Sequence, residues 1–522
     1  MNLTPDITLV PASQERIKLK VLVIGLDGAT MDLIKPWASE GKLPTFQRLM
    51  SEGCYGDLES TRPAITIPAW NSLATGKNPG RIGCFSFIQK ASGSYDFRVF
   101  PQTVEKEKDI WDILSDSGNK VFVLNAPNIL SAYRINGHMV AGSLCTSDDR
   151  LTYPKELSED LHNLNYEMDM TDPDIFGCLN DKEFSRRHKE ITEKHCKVLF
   201  KFLDSNWDFG FFVFTELDRV QHQFWDKKDI LLSHYQNIDS KLDQIINKIE
   251  QNGDKPNIFI VSDHGFGPNK RAFLVNEYLI NKGLLDIKRI PTLEIIKALV
   301  SVLRKPIILK MLTPLFNLSF SRRLYRSVTR QTGRTPICWD RTKAFSYATW
   351  GTIYINLAGR EPQGIVKEED YEKLRSEIID GLEKISVRAY RREELYHGKY
   401  LNLAPDIILD TDDYVNSITA KVGYGSEFVE WQGGSHRING TFIARGPDIK
   451  EKSEIDAKIC DVTPTILHMF DMPVPKDMDG RVLKEIFSVD SLLMKRKIQY
   501  KQVDERERIR SGIRILKSKV KI

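Results

Sequence analysis

What most constrains the fold of this chain is a series of short apolar runs, each closed by an acid, a proline or a glycine and separated from the next by helical patterns. "KVLVIGLDG" (Lys20 to Gly28), "KVFVLNAP" (Lys120 to Pro127), "FGFFVFTELD" (Phe209 to Asp218), "NIFIVSDHGFG" (Asn257 to Gly267) and "APDIILD" (Ala404 to Asp410) each read as a buried strand. Runs this uniformly apolar belong to strands covered on both faces, which implies a parallel sheet between layers of helices. Helical patterns at about Met31 to Ser39 and Pro44 to Glu52 follow the first run. Proline is tolerated at the start of the second because a first-turn N–H has no intrahelical partner. The expected fold is therefore α/β, a central and mostly parallel sheet flanked by helices.

Three stretches break the rhythm: Phe85 to Lys108, Ser147 to His195 and Leu285 to Thr342. They read as insertions forming a cap. The expected organisation is one discontinuous sheet domain over 18–284 and 343–485, with insertions near 85–108 and 147–195. A basic amphipathic helical insertion covers 285–342, and a basic C-terminal extension, helical from about Met494, covers 486–522.

Composition narrows the function classes. With 522 residues and 41% hydrophobic content the chain can bury a large core, and a net charge of +4 is too mild to point to a nucleic-acid duplex. Seven scattered cysteines without a CxxC pair predict neither a disulfide framework nor a thiolate metal site. No stretch approaches the roughly 18 uninterrupted apolar residues of a membrane helix, and the N-terminus lacks a signal-peptide pattern. A cytoplasmic protein is expected.

In an open α/β sheet, ligands collect beyond the carboxyl ends of the strands. Asp27 closes the first run there, and Asp263 with His264 closes the fourth. Either one alone reads as readily as an Asp-Gly turn or a loop histidine. "TELDRVQHQFW" adds Asp218 after the run ending at Phe214, with His222 four residues on. On a helix those two share a face and can grip one metal ion; the plain alternative is a helix N-terminal acid and a surface histidine. His436, in the glycine-rich "QGGSHRINGTF", supplies a further imidazole. Three Asp and three His on one sheet edge suffice for two divalent metal ions, and carboxylate plus imidazole without thiolate suits zinc or manganese. "STRPAITIPAWNSLATGKNPGRIG" offers a nucleophile, since Thr66 precedes Pro68 and a helical pattern. At a helix N-terminus a phosphate is favoured, and metal coordination would lower the hydroxyl pKa; without metal, Thr66 is a plain N-cap.

The order Asp27, Thr66, Asp218 with His222, Asp263 with His264, then His436 resembles the alkaline phosphatase superfamily, in particular its type I phosphodiesterase/nucleotide pyrophosphatase branch. "LDGAT", "GKLPTFQRLMSEG", "TIPAWNSLATGKNPGRIG", "SDHGFG", "GGSHRINGTFIARGPDI" and "DVTPTILHMFDMPVPKDMDGRVL" carry the likeness from near residue 20 to near residue 483. "YINLAGREPQGIV" (Tyr354 to Val366) is similar to prokaryotic phosphohydrolase and phosphomutase-like members. The resemblance implies an alkaline phosphatase-like fold and a two-metal phosphohydrolase or phosphodiesterase that cleaves a phosphate ester through a covalent phospho-threonine. It places Asp27, Thr66, Asp263 and His264 on one metal and Asp218, His222 and His436 on the other. Asn71 and Arg437 are candidate substrate contacts. A phosphomutase or phosphotransferase with the same intermediate is the alternative, whereas a non-catalytic binding protein would be expected to lack ligands, and all seven positions are filled. Two departures are informative. Where nucleotide pyrophosphatases carry an asparagine that contacts the phosphoryl oxygen, an ungapped count reaches Phe87. Where sulfatases carry CxPxR, this chain reads Thr66, Ile67, Pro68, Ala69, Trp70, which disfavours a sulfatase.

Between Lys288 and Arg334 eleven Lys and Arg face the single acid Glu294, interleaved with apolar residues at helical spacing. Such a segment is either a solvated cap helix or a surface that draws in an anionic substrate. The expected partners are a small-molecule, glycan or lipid phosphate ester, with peripheral membrane contact through 288–334 and no nucleic-acid duplex.

Overall fold

The computed structural model describes residues 19–99, 106–145, 147–169, 180–288, 337–347, 350–411 and 417–503. The basic stretch at 289–336 and the C-terminal residues 504–522 lie outside the described residues, and with them most of the expected helical insertion and extension.

The first four apolar runs become neighbours in one sheet. Its strands are β1 (Val21–Leu26), β2 (Gly53–Glu59), β3 (Val121–Ala126), β4 (Gly137–Ala141), β5 (Thr152–Tyr153), β6 (Phe209–Phe214), β7 (Asn257–Val261), β8 (Asn439–Arg445), β9 (Ser453–Glu454) and β10 (Ala457–Lys458). They run in the order β9-β2-β8-β7-β1-β6-β3-β4-β5, with β10 also paired to β2. Only β8 and β5 run against the rest. β1, β3, β6 and β7 are buried along their whole length, the reason their sequences show no polar alternation.

Side-chain alternation divides the core into two layers. Leu22, Ile24 and Leu26 face one, packed with helices α1 (Met31–Ser39), α3 (Asp181–Leu203), α4 (Glu216–Phe224) and α5 (Lys228–Gln251). Val21 and Val23 face the other, packed with α2 (Thr66–Thr75) and α7 (Val462–Met469). At Gly25 the alternation leaves no room for a side chain: a Cβ would lie 2.4 Å from the Trp70 ring. The fully buried Trp70 thus lies directly on β1, and this contact seats α2, with Thr66 at its first position, beside the end of that strand.

The fifth run belongs elsewhere. Ile407–Leu409 pairs in a four-stranded antiparallel sheet with Thr352–Ile355, Ala389–Arg391 and, through Thr352–Ile355, with Ala344–Phe345. Helix α6 (Glu368–Glu383) covers this sheet, and the two share a third hydrophobic core with Phe273, Tyr278 and Leu285. The hairpin Ile88–Lys90/Phe97–Val99 joins this second lobe, where Tyr95 stacks on Trp339 at 3.6 Å and Phe97 on Tyr347 at 3.8 Å.

The stretch 147–195 does not overhang the sheet where it is described. Thr152–Tyr153 is the sheet's edge strand, and α3 buries Phe184, Leu199 and Phe202 in the main core because its apolar residues fall on one face. Near the C-terminus, Leu492–Lys495 is helical but Tyr500–Lys501 is extended, paired with Val474–Pro475.

Candidate active site

β7, β1 and β6 are adjacent and parallel, so their carboxyl ends open on one edge. Asp27 follows β1, and its N–H donates to Phe214 O at the end of β6. Gly28, at φ +72°, turns the chain there, where a Cβ would lie 3.0 Å from Phe266. The freed Gly28 N–H donates to Asp263 Oδ1 (3.1 Å), which fixes one carboxylate by the turn that positions another. Asp218 and His222 lie on α4, one turn apart, just beyond β6. His436 lies on Gly434–Arg437, an antiparallel partner of Gly265–Pro268 in a register that sets His436 opposite Phe266. Thr66 opens α2, and its hydroxyl is 3.4 Å from His264 Nε2.

All seven residues are therefore brought together. His264 Nε2 is 3.2 Å from Asp263 Oδ2 and 3.6 Å from Asp27 Oδ1. His436 Nε2 is 3.1 Å from Asp218 Oδ1, and His222 Nε2 is 3.5 Å from the same oxygen. The two sets that converge most tightly are Asp27, Asp263, His264 and Asp218, His264, His436, with His264 common to both. His222 stands at the open side of the cluster: its side chain is 41% exposed, against 5% or less for the other imidazoles.

The hydrogen bonds determine which ring nitrogens are available. His222 Nδ1 lies 3.1 Å from Gly434 O, His264 Nδ1 3.1 Å from Gly265 O and His436 Nδ1 2.8 Å from Ala64 O. A carbonyl only accepts, so each Nδ1 carries a proton and each Nε2 faces the cluster. Burial holds the His264 and His436 imidazoles down to about 4, which keeps them neutral at pH 7.

The carboxylates tell a complementary story. Burial, reinforced by the charges of Asp263 and Asp218, pushes Asp27 well above the usual range, and burial pushes Asp263 up to about 7. Burial also opposes the charge on Asp218, yet its carboxyl is held well below the usual range, with the Arg219 guanidinium as the permanent positive charge beside it. Asp27 Oδ1, Asp218 Oδ1 and Asp263 Oδ2 are all buried without a hydrogen-bond donor. Carboxyl oxygens facing imidazole lone pairs at 3.1 to 3.6 Å lack a positive charge between them, and a divalent cation supplies it and keeps the carboxyls ionised. The donor set thus fits a metal centre.

Several supporting residues carried no signal in the sequence. Arg219 Nη1 donates to Asp218 Oδ2 (2.7 Å) while its other nitrogens donate to Asp169, so Asp218 is left with Oδ1 alone to offer. Gln221 donates to Gly28 O (2.8 Å) and accepts from Tyr235 OH (2.9 Å). Ser262 Oγ lies between Ala29 O and His264 O and accepts from Thr441 N–H. Glu216, in the first turn of α4, is bonded by Thr192, His234 and Asn237, which anchors the helix carrying Asp218. Asn71 and Arg437 are engaged with backbone: Asn71 donates to Ile67 O (2.8 Å), Arg437 to His436 O (2.9 Å) and Pro268 O (2.5 Å).

A family profile for type I phosphodiesterase/nucleotide pyrophosphatase matches residues 21–436, the span from β1 to His436. The chain belongs to this family. It is accordingly a hydrolase of phosphate esters, and its family is metal-dependent. Among solved structures, human ectonucleotide pyrophosphatase/phosphodiesterase 5 is similar at 14% identity with a TM-score of 0.54. The murine protein is similar at 13% identity and 0.53, both alone and as an inactive variant in complex with AMP. Each alignment covers 90% of this chain and all of the other. At such identities the likeness concerns the alkaline phosphatase-like fold. No curated protein matches the chain.

Proposed function

We propose that this family member cleaves a small phosphodiester through Thr66 as covalent nucleophile, with two divalent metal ions, zinc in first place and manganese as the alternative. The observation that carries the reading is the Thr66 hydroxyl beside His264 Nε2, against two buried carboxylate and imidazole groups that share this histidine. Asp27, Asp263 and His264 would hold one ion with Thr66, and Asp218, His222 and His436 the other. Bound there, the ions supply positive charge that lowers the pKa of the Thr66 hydroxyl and neutralises phosphoryl oxygen.

The residues of the chain do the rest. The N-cap of α2 is Ile65, whose side chain accepts nothing, so the N–H groups of Thr66 and Ile67 are left to stabilise an anion. The Thr66 hydroxyl gives its proton to solvent as Oγ forms a bond to phosphorus, the bond from phosphorus to the leaving oxygen breaks, and that oxygen takes up a proton from solvent. A water molecule then bonds to phosphorus and loses one proton, Oγ takes up a proton and is released as the hydroxyl, and a phosphomonoester leaves. The AMP complex of the murine neighbour supports a substrate of nucleotide size. Six described cysteines are free thiols, which supports action in a reducing compartment such as the cytoplasm.

The test is hydrolysis of bis(p-nitrophenyl) phosphate with added zinc or manganese. Thr66→Ala should lose several orders of magnitude in rate with metal still bound, and Thr66→Ser should retain much of it. Wild-type rates in Thr66→Ala would refute the nucleophile.

A further inference from the structure

The second lobe reaches the metal-ligand cluster through Trp350. The Trp350 ring lies 4.8 Å from that of His436, tilted by 35°. Its other aromatic neighbour is Phe87, at 6.4 Å and 32°, contributed from the sheet domain beyond α2. Both rings are half-buried, so each retains some exposed surface.

The backbone of Trp350 is strained to hold this position. Its φ of +117° is a conformation that side-chain-bearing residues rarely adopt. The surroundings enforce it. Trp350 N–H donates to Ile418 O (3.2 Å), and the next residue, Gly351, is packed so closely that a Cβ would lie 2.9 Å from both Ile418 and Leu409. Strain sustained by packing, in a residue aimed at a cluster of reactive groups, points to function.

We propose that Trp350 and Phe87 form a one-sided aromatic wall that selects phosphate esters whose organic group is a ring with an apolar face. This rests on the phosphodiesterase reading and names the substrate class. The spacing determines how the ring is taken. Inserting a ring between two others requires two van der Waals gaps, about 7 Å in all. At 6.4 Å and tilted, the pair is too close to enclose one. The organic group therefore lies against the exposed side of the wall, where a planar base and a saturated sugar-like ring present the same apolar face.

The test is calorimetric binding of phenylphosphonate, cyclohexylphosphonate and methylphosphonate to the metal-loaded protein. Ring phosphonates should bind about tenfold more tightly than methylphosphonate, as burial of one ring face predicts. Trp350→Ala and Phe87→Ala should abolish that preference with methylphosphonate affinity unchanged, and Trp350→Phe should keep part of it. A preference for phenylphosphonate alone would uphold the wall and assign it to planar bases; one shared by cyclohexylphosphonate would uphold it and extend it to saturated rings. Equal affinities in the wild type would overturn the proposal. So would an equal loss of all three ligands in Trp350→Ala, which would make Trp350 a support for His436. Ring preference without any turnover would refute the hydrolytic reading and leave the wall standing.

Discussion

Asp218 illustrates how single residues are specialised here. Arg219 occupies Oδ2, and Oδ1 is left facing the Nε2 atoms of two imidazoles. Removing such a ligand should cost metal, because the remaining donors are too few and the neighbouring carboxylates repel. His436→Ala and Asp218→Ala should empty one site, and Asp263→Ala the other, as read by metal content after dialysis; unchanged content in all three would refute the ligand set. A second residue-scale prediction concerns His188 on α3, whose pKa burial lowers to about 4. In the unfolded chain it titrates near about 6.5, so on acidification the unfolded state takes up the proton first. Its contribution to stability is complete above about 6.5 and is lost as pH falls toward 4. The denaturation midpoint should drop across that window, and less steeply in His188→Leu; identical slopes would exclude this histidine. At this scale the sequence was most informative where spacing or an adjacent strand end marked a residue, as for Asp218 with His222 or Asp263 with His264. Arg219, Gln221 and Ser262 were invisible because each is also fixed by a residue of another element: Asp169 for Arg219, Ala29 and Thr441 for Ser262, and Gly28, 193 residues away, for Gln221.

Among the elements, the strands of the central sheet were legible because burial on both faces leaves an uninterrupted apolar run. "APDIILD" has the same look and a different home. Its Ile407 and Leu409 are buried as completely as residues of β1, but in the antiparallel sheet of the second lobe. Periodicity reports burial and not the identity of the sheet. The motif "YINLAGREPQGIV" likewise finds a structural account. Arg360 forms a bidentate pair with Asp406 (2.7 and 2.6 Å), and Asp406, fully buried, also accepts from Ile355 N–H, Tyr371 OH and Arg392. Leaving a buried charge without any partner costs about 3–5 kcal/mol, and Arg392, Tyr371 and Ile355 N–H still partner Asp406 when Arg360 is removed. Arg360→Ala should therefore destabilise by less than that, with the largest loss of hydrogen-exchange protection in Thr352–Ile355 and Ile407–Leu409. Equal protection in wild type and variant would show that the pair is dispensable.

Taken as a whole, the molecule is a sheet domain whose strand ends carry the candidate metal ligands and a second lobe that approaches them through Trp350. The first half of that description was readable in the sequence, since the ligands follow apolar runs that are adjacent in the sheet. The second was not, because Trp350 owes its place to an unusual φ and to Gly351, neither of which leaves a periodic trace. No helix among the described residues is long and apolar enough to cross a membrane. Acid quenching of the metal-loaded enzyme under steady-state hydrolysis, followed by peptide mass spectrometry, tests whether Thr66 becomes covalently phosphorylated during turnover. One phosphoryl group is expected on the peptide containing Thr66, absent without substrate and absent in Thr66→Ala. Rapid turnover with no phosphoryl group on Thr66, or with the group on another residue, would contradict the covalent route through Thr66.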